Sequence, residues 1–446
     1  MKKLTILVVS MASVGHVNSC IGATKKLLKR GHRVVFFFEN EFANKAKVHG
    51  FEELTYESKH VETLDQNNNS NLNPGEKLAE ALFQMKIIGP DTPEKKLEYL
   101  IMFHTNPKNL LHLLEFNSSV KEAIDDIKPD LIYYDGIADL PSIHQSGIPW
   151  IENVSFTPIF HMYEENLPPG GSGLPENDQT YWKQYRSKQK ELHEQMKKKI
   201  GEQLKQIDPE SVFLNYKKVE PILTVYAYPD ELNYEPFKQK EGWFNLERFQ
   251  RNDEKLMENS KKPLNELIPR EFFTNTLNGQ WSGKWIYITM GSMGSIDVEL
   301  MKRLVKTLST SNHKFIVSKG HRHQCYDLPS NMYGERYLPQ IELLPHMDLV
   351  LTHGGNNTTT ETFIEGKPMI VMPLFADQYD NAQRIHEKKF GLRLDPYRYK
   401  DEELHEAIDQ LLNDTELLKR LKNASERIRS IDRHEQLVDK IESLII

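Results

Sequence analysis

The chain has 446 residues, of which 38% are hydrophobic, and its formal net charge is −7. This length exceeds the size at which a single hydrophobic core stops growing, so we expect two domains. The acidic balance argues against nucleic acid or an anionic membrane as the partner. The two cysteines, Cys20 and Cys325, exclude a disulfide framework and fit a reducing compartment.

The N-terminal sequence MKKLTILVVSMAS has the outline of a signal peptide. However, the apolar run at 4–9 is shorter than the usual hydrophobic region of a signal, and its β-branched residues suit a buried parallel strand. We therefore predict a strand at 4–9. Because no run of about 18 apolar residues occurs, we expect neither a transmembrane helix nor a membrane anchor, and a cytoplasmic location.

Strands alternate with helices in both halves of the chain, which indicates βαβ units and parallel sheets. In the first half we predict strands at 4–9, 33–39, 129–136 and 148–155, and helices at 17–30, within 75–127, at 138–147 and at 180–207. In the second half we predict strands at 285–290, 314–320, 348–352 and 368–373, and helices at 297–310, after Gly355 and at 381–391. The fold class is therefore α/β, with two Rossmann-like domains joined by a polar segment around 235–265. Residues 65–75 are interpreted as a polar loop, and the lysines at 197–199 as a solvated helix face.

Familiar phosphate and metal motifs are absent from the sequence. The chain has no GxxxxGK[ST] and no GxGxxG after a predicted strand, so kinase-type and NAD-type phosphate sites are not expected. His321, His323 and Cys325 are of metal-binding types, but they lie on one short loop without a second pair of ligands. We therefore expect no metal site and no cofactor.

The segment DLVLTHGGNNTTTETFIEG (348–366) combines a buried strand, a glycine turn and a helix start. His353 lies at the carboxyl end of the strand, where open α/β sheets bind ligands. The two glycines after it let the backbone approach a ligand closely. Asn356 or Asn357 is expected to cap the following helix, whose first amides and positive dipole end suit a phosphate.

Glu361 lies one turn into this helix, on the face of Asn357 and Thr358. A carboxylate there would repel a phosphate but would accept both hydroxyls of a ribose, so the segment fits a nucleoside diphosphate. A capped helix after a tight turn would explain the glycines and asparagines equally well. The presence of His353 and Glu361 favours the ligand site.

His16 follows the first predicted strand, beside Gly15. It is a candidate general base because the ordinary pKa of an imidazole, about 6.5, lies near neutral pH. A lone histidine of a helix cap or loop would look the same. Asp135 strengthens the candidate, because it ends another strand of the same sheet and a carboxylate there can orient the ring and stabilise imidazolium. Asp139 is the alternative carboxylate.

The stretch LPQIELLPHMDLVLTHGGNNTTTETFIEGKPMIVMPLFADQYDNA (338–382) resembles the signature of the UDP-glycosyltransferase family, inverting enzymes of the GT-B fold that glycosylate small molecules. The resemblance implies two Rossmann-like domains that face each other across a cleft. The acceptor-binding domain would span 1–235 and the UDP-sugar-binding domain 236–425. A final helix, 426–446, would pack back on the first domain.

The resemblance also implies residue roles. His16 and Asp135 match the family's base and its carboxylate partner. The uracil would lie against Tyr337, Leu338 and Gln340, the ribose against Glu361, and the donor sugar against Asp377 and Gln378. The diphosphate would lie against His353, Gly355, Asn356, Asn357 and Thr358, and, from MGSMGS (290–295), Ser292 and Ser295, with Gly15 close by. Three residues depart from the pattern: Asn356 replaces the Trp common in plant members, Thr358 replaces Ser and Lys367 replaces Val.

These roles imply inverting transfer of glucose from UDP-glucose to a hydroxyl of a hydrophobic small molecule, such as a flavonoid, phenol or xenobiotic. We expect a monomer without nucleic-acid partners, similar to the detoxifying enzymes of bacteria and arthropods. Asp377-Gln378 resembles the glucose-using pattern, although relatives that use glucuronate share it. The candidate acceptor residues, which would equally fit a core, are Phe83, Met85, Phe156 and Phe160. The alternatives are a lipid- or macrolide-directed transferase and a non-catalytic nucleotide-sugar-binding protein.

Overall fold

The computed structural model describes residues 2–11, 13–59, 72, 74–162, 164–249, 263–274 and 283–445. The first sheet contains seven parallel strands in the order β3-β2-β1-β4-β5-β6-β7. Their bounds are β1 Thr5–Ser10, β2 Arg33–Glu39, β3 Glu52–Tyr56, β4 Leu131–Asp135, β5 Trp150–Val154, β6 Leu223–Tyr226 and β7 Trp243–Asn245. The predicted strand at 4–9 is confirmed as β1, a buried central strand of this sheet.

Helices connect these strands. Their bounds are α1 Val14–Lys29, α2 Pro74–Gln84, α3 Pro93–His104, α4 Pro107–Ile127, α5 Pro141–His144, α6 Pro158–His161, α7 Trp182–Ile207 and α8 Glu235–Lys238. The helical region 75–127 is divided because Pro93 and Pro107, which suit the first position of a helix, each begin a new one. Helix α1 starts earlier than predicted, so His16 lies in its first turn.

The second sheet contains six parallel strands in the order β10-β9-β8-β11-β12-β13. Their bounds are β8 Trp285–Thr289, β9 Lys314–Ser318, β10 Met332–Glu335, β11 Leu349–Thr352, β12 Met369–Val371 and β13 Gly391–Arg393. The helices are α9 Leu264–Leu267, α10 Arg270–Thr274, α11 Gly291–Gly294, α12 Val298–Leu308, α13 Gln340–Leu343, α14 Asn356–Ile364, α15 Gln378–Glu387, α16 Asp401–Asn413, α17 Thr415–Ser430 and α18 Arg433–Ile445. Each sheet has the strand order of a doubly wound nucleotide-binding domain.

The first sheet extends past residue 235, because β7 (Trp243–Asn245) pairs with β6. The linker that we expected around 235–265 therefore includes a strand, and its part at 250–262 lies outside the described residues. Most of the predicted loop 65–75 also lies outside them. At the other end of the chain, α18 packs on the first domain, where its apolar residues join the core that contains β1: Leu437, Val438 and Ile441.

The two domains also share apolar packing beside the cleft. Residues of α2 and of the turn after it belong to the same buried cluster as the strands of the second sheet: Ala79, Leu82, Ile87 and Ile88. Within the described residues, no helix has the length and apolar character needed to cross a membrane.

Candidate active site

His16 and Asp135 are in direct contact at the carboxyl edge of the first sheet. Strand β4 ends at Asp135 and pairs with β1, so that Ser10 lies beside Asp135 and α1 starts nearby. The His16 Nδ1 atom lies 2.7 Å from Asp135 Oδ1, and both residues are buried. Because Nδ1–H donates to the carboxylate, the neutral ring keeps its lone pair on Nε2, where a substrate proton can bind.

Four further side chains surround the Asp135 carboxylate, as a buried charge requires. The donors and their distances to its oxygens are Ser19 Oγ (2.7 Å), Asn153 Nδ2 (2.7 Å), Ser155 Oγ (3.0 Å) and Cys20 Sγ (3.7 Å). Burial raises the pKa of the Cys20 thiol well above its ordinary value, so the thiol keeps its proton. These four residues were not predicted from the sequence. Ser19 and Cys20 lie one helical turn beyond His16, and Asn153 and Ser155 lie at the end of β5, which pairs with β4. Their spacing from His16 and Asp135 could therefore have indicated that they lie near the carboxylate.

The structure distinguishes between the two candidate carboxylates. Asp139 lies in the loop after β4, where its Oδ1 is 3.1 Å from Lys218 Nζ and 3.6 Å from His144 Nε2. Its side chain is also partly exposed. Asp135, and not Asp139, is therefore the carboxylate that holds the His16 ring.

The start of α14 is arranged differently from our expectation. Gly355 is the N-cap residue, and no side-chain hydrogen bond caps this helix within the described part of the chain. The expectation that Asn356 or Asn357 caps the helix is therefore wrong, because both already lie inside its first turn and their side chains point across to the first domain. Asn357 Nδ2 donates to Gly15 O at 2.9 Å, next to His16. Asn356 Nδ2 contacts main-chain carbonyls at the ends of β5 and β6.

His353 is buried between two glycine-containing turns. A Cβ atom added to Gly291 or Gly355 would lie within 2.6 Å of its ring, so only glycine fits at these places. Gly291 also has φ +68°, which favours glycine. Burial lowers the pKa of His353 to about 4, so the imidazole is neutral at pH 7. His353 can therefore offer an N–H donor to an anion but carries no positive charge.

Gln340 lies against two residues of α14, Glu361, which we expected to bind the ribose, and Thr358, which we expected to contact the diphosphate. Its Nε2 donates to Glu361 Oε2 at 2.7 Å and lies 3.4 Å from Thr358 Oγ1. The three residues thus form one polar cluster, as expected for neighbouring parts of a nucleoside site. Leu338, in the same segment, is partly buried against the core.

Tyr337 has a half-exposed ring at the edge of the second domain. Its hydroxyl donates to the buried carboxylate of Glu76 on α2, and Arg336 Nη2 binds the same carboxylate at 2.6 Å. The guanidinium of Arg336 also lies 5.4 Å from the Tyr337 ring centroid. Helix α2 of the first domain therefore contacts the segment that is expected to bind uracil.

The two serines of MGSMGS differ in their positions. Ser292 is exposed at the start of α11. Ser295 is fully buried, its Oγ donates to Gly291 O at 3.0 Å, and it packs under Gly320. The structure thus turns Ser295 away from the cleft, because its hydroxyl closes the turn that contains Gly291. Of the two serines, Ser292 is therefore the accessible one.

Asp377 and Gln378 lie at the cleft on the turn that begins α15. Asp377 Oδ2 accepts a hydrogen bond from Thr157 N, in the first domain, at 3.2 Å. Burial raises the pKa of Asp377 to about 7. Gln378 Oε1 accepts the main-chain amides of Leu374 at 3.0 Å and Phe375 at 3.2 Å, which fixes the loop.

The four candidate acceptor residues form two separate pairs. Phe156 lies edge-on to His16 with ring centroids 5.0 Å apart, and Phe160 lies 5.3 Å from Phe156. Phe83 and Met85 are partly buried against the large core that contains the second sheet. The first pair therefore borders His16 through Phe156, which, like Phe83 and Met85, also packs against this core.

His321 and Lys367, whose roles could not be predicted from the sequence, each make a specific contact in the structure. His321 Nε2 lies 3.0 Å from Glu80 Oε1 on α2, in a contact between the domains. Lys367, which departs from the family pattern, is half-buried and donates to Pro345 O at 2.9 Å.

The chain is similar to several known glycosyltransferases. A family model described as UDP-glucoronosyl and UDP-glucosyl transferase matches residues 262–434. The NDP-glycosyltransferase YjiC of Bacillus subtilis (strain 168) is 25% identical over 457 aligned residues, which cover 100% of this chain and 98% of YjiC. A crystal structure described as the glycotransferase of kitacinnamycin has a TM-score of 0.66 at 18% identity and covers 99% of both chains. The family match over 262–434 and these full-length similarities together support a member of the UDP-glycosyltransferase family.

This glycosyltransferase has the GT-B fold, and its two parallel sheets are the Rossmann-like domains of that fold. The Streptomyces sp. SF2575 glycosyltransferase SsfS6, solved in complex with thymidine diphosphate, is a further structural neighbour. Its TM-score is 0.60 at 16% identity, with coverage of 98% of this chain and 99% of SsfS6. The prediction of the family and fold from the segment 338–382 is confirmed.

Proposed function

We propose that this glycosyltransferase moves glucose from UDP-glucose to a hydroxyl group of a hydrophobic small molecule, with inversion at the anomeric carbon. The observation that carries the proposal is the contact between the start of α14 and the His16–Asp135 pair. Asn357 Nδ2 donates to Gly15 O at 2.9 Å, immediately beside His16. A nucleoside diphosphate seated at the start of α14 would therefore present its sugar to the base.

In the proposed reaction, His16 Nε2 takes the proton of the acceptor hydroxyl. The acceptor oxygen forms a bond to the anomeric carbon from the face opposite UDP, the bond from that carbon to the UDP oxygen breaks, and UDP leaves with the electron pair. Asp135, 2.7 Å from Nδ1, stabilises the imidazolium that forms. The proton passes to solvent after the products leave.

The leaving diphosphate would be stabilised by the uncapped amides at the start of α14 and by the helix dipole. Thr358, Ser292 and the neutral imidazole of His353 can add donors. We propose that these groups supply the stabilisation that a metal ion supplies in other transferases. A chelator should then leave turnover unchanged.

The proposed sugar and acceptor sites lie on the two sides of this centre. Asp377 and Gln378 would bind hydroxyls of glucose, and their position at the cleft supports that role. Phe156 and Phe160 would bind the apolar body of the acceptor, because the Phe156 ring lies edge-on to His16 and the Phe160 ring lies against Phe156. Phe83 and Met85 lie in packing against the core, so they support this part of the proposal less.

A panel of donors and acceptors tests the proposal. The purified enzyme would be incubated with UDP-glucose, UDP-galactose and UDP-glucuronate in turn, each with flavonoid and simple phenol acceptors, and the products read by mass spectrometry. We expect glucosides to dominate. Transfer from none of these donors to any acceptor would overturn the proposal.

A thymidine diphosphate sugar is the second candidate donor, with a macrolide as acceptor, because SsfS6 was solved with thymidine diphosphate. A ligand that binds only the folded state stabilises it by RT ln(1 + [L]/Kd), so at equal concentration the tighter ligand raises the melting temperature more. Melting curves with UDP and with thymidine diphosphate at equal concentration would therefore separate the two. A larger shift with thymidine diphosphate would favour the second candidate.

A further inference from the structure

The carboxamide of Asn356 links the two domains. Asn356 is the first residue of α14 and is only 5% exposed. Its Nδ2 lies 3.1 Å from Ala227 O, 3.2 Å from Ser155 O and 3.4 Å from Phe156 O. All three carbonyls belong to the first domain, so this side chain joins the start of the helix to the opposite side of the cleft.

The carbonyls bound by Asn356 come from the ends of two neighbouring strands. β5 and β6 pair in parallel, and Ser155 and Ala227 are the residues immediately after them. Buried main-chain carbonyls at such ends need donors. A carboxamide NH2 carries two hydrogens, which suits two adjacent strand ends. The contact therefore fixes the position of α14 relative to both strands at once.

The same segment also holds the base. Ser155 Oγ lies 2.9 Å from His16 Nδ1, and the Phe156 ring packs edge-on against the His16 ring. The main chain that Asn356 binds thus belongs to residues whose side chains orient His16. A continuous set of contacts therefore connects the start of α14, through the Asn356 carboxamide, to the His16 imidazole.

We propose that Asn356 is a positioning residue for sugar transfer, which sets the distance between the start of α14 and the His16 imidazole. The inference rests on the proposed function, since it assigns the diphosphate to that helix start. Loss of the carboxamide lowers the rate at which a bound sugar meets the activated oxygen and leaves the affinity for UDP unchanged. A displacement of about 1 Å at a reacting centre can cost about 10²-fold in rate.

Arg398 offers a matched control. Its Nη2 donates to Pro90 O of the first domain at 3.1 Å, so it too makes a side-chain to main-chain bond between the domains. Its side chain is largely exposed, and its bond partner lies in the turn between α2 and α3. Arg398→Ala therefore removes an interdomain bond without touching the residues that hold His16.

The first experiment compares Asn356→Leu with Arg398→Ala. For Asn356→Leu we expect kcat for transfer to fall about 10–100-fold, with KM for UDP-glucose and the Kd of UDP measured by calorimetry within about twofold of wild type. For Arg398→Ala we expect all three quantities to stay within about twofold of wild type. An equal loss of kcat and UDP affinity in Asn356→Leu, or an equal loss of kcat in both variants, would overturn the proposal.

Asn356→Asp keeps the shape of the side chain, so it provides a second test if Asn356→Leu fails to fold. An ionised carboxylate cannot donate to the three carbonyls, whereas a protonated carboxyl regains one donor. The turnover of Asn356→Asp relative to wild type should therefore rise as the pH falls. A ratio that does not change with pH contradicts the positioning role.

A distance measurement decides the proposal without relying on activity. Spin labels on the exposed Cys325 and on an introduced Lys218→Cys would report the separation of the domains, since Cys20 is buried. We expect Asn356→Leu to broaden the distance distribution and Arg398→Ala to leave it unchanged. An unchanged distribution in Asn356→Leu overturns the inference. Absence of transfer by the wild-type enzyme would instead overturn the proposed function.

Discussion

His16 and Asp135 are separated by 119 positions in the chain, and their contact depends on the pairing of two central strands. Strands β1 and β4 run in parallel, so that the start of α1 and the end of β4 meet at one edge. The donors around the carboxylate fix its orientation, and the carboxylate in turn fixes the ring. A base that is held in this way loses little entropy when it meets the acceptor.

Replacement of His16 by alanine tests the base directly. We expect His16→Ala to bind UDP normally and to lose transfer by about 10²–10⁴-fold, the usual contribution of a general base. Calorimetry with UDP and a turnover assay would measure the two effects. Unchanged turnover would remove His16 from the mechanism.

Asp135 and Asp139 provide a pair of matched variants. In Asp135→Asn the ring loses its anionic partner and the stabilisation of imidazolium, so we expect kcat to fall by about 10²–10⁴-fold. Asp139 instead contacts Lys218 at the surface, so Asp139→Asn should retain wild-type turnover. Steady-state kinetics would show the difference, and similar losses in both variants would contradict the assignment.

At the scale of elements, α3 reaches across the cleft to the loop that leads into α15. The ammonium of Lys96 on α3 is buried and donates to Gly89 O at 2.7 Å, Leu374 O at 2.5 Å and Tyr379 Oη at 2.8 Å. Burial lowers the pKa of Lys96 to about 8. The loop between Leu374 and Tyr379 carries Asp377 and Gln378, so α3 helps to fix the proposed sugar-binding residues.

Lys96→Met should loosen this loop. We expect KM for UDP-glucose to rise about tenfold, equivalent to about 1.4 kcal/mol, while the Kd of UDP stays constant because UDP lacks the glucose that this loop would bind. The neighbouring Lys95 is exposed and pairs with Glu98, so Lys95→Met is the control. A weaker affinity for UDP in Lys96→Met would show that the effect is not limited to the sugar.

The elements themselves could largely be predicted from the sequence, because apolar runs separated by helical spacing define buried parallel strands. His16, Asp135 and His353 were identifiable since each lies at or just after the end of such a strand. Contacts between the domains were not predictable. The side chains of Asn356 and Asn357 look like helix caps in the sequence, yet the structure directs them to carbonyls of the other domain. Ser295 likewise looks like a phosphate ligand in the sequence, but in the structure its hydroxyl is bound to Gly291 O and is buried.

Across the whole molecule, buried ionisable groups act on stability in two opposite directions. Burial raises the pKa of Asp377 and Asp380 to about 7, above the ordinary value of about 3.9. Their contribution to stability is therefore present at low pH and is lost as the pH rises through 7. Burial lowers the pKa of His353 to about 4 and that of His434 to about 3. Their contribution is present above about pH 6.5 and is lost as the pH falls toward 4.

Single variants should tilt the pH dependence of stability in opposite directions. Without the buried carboxyl, Asp380→Asn should make the slope of the unfolding free energy against pH more positive between pH 4.5 and about 7. His434→Gln should make the slope more negative over the same range. Urea unfolding at a series of pH values would measure both slopes, with the exposed Asp125→Asn as the control. A tilt in the same direction for both variants would contradict these assignments.

Along its described residues, the chain changes domain between β7 and β8 and again between α17 and α18, which packs on the first domain. At the second passage, Arg427 and Arg433 bind the buried carboxylate of Glu247, which lies just after β7 and therefore next to the first passage. Because the described ends of the two connections lie side by side, the easiest relative motion of the domains is a rotation about the line that joins those ends. Substrate entry and product release in this enzyme should therefore proceed by a hinged opening of the cleft, with twisting and sliding of the two halves suppressed.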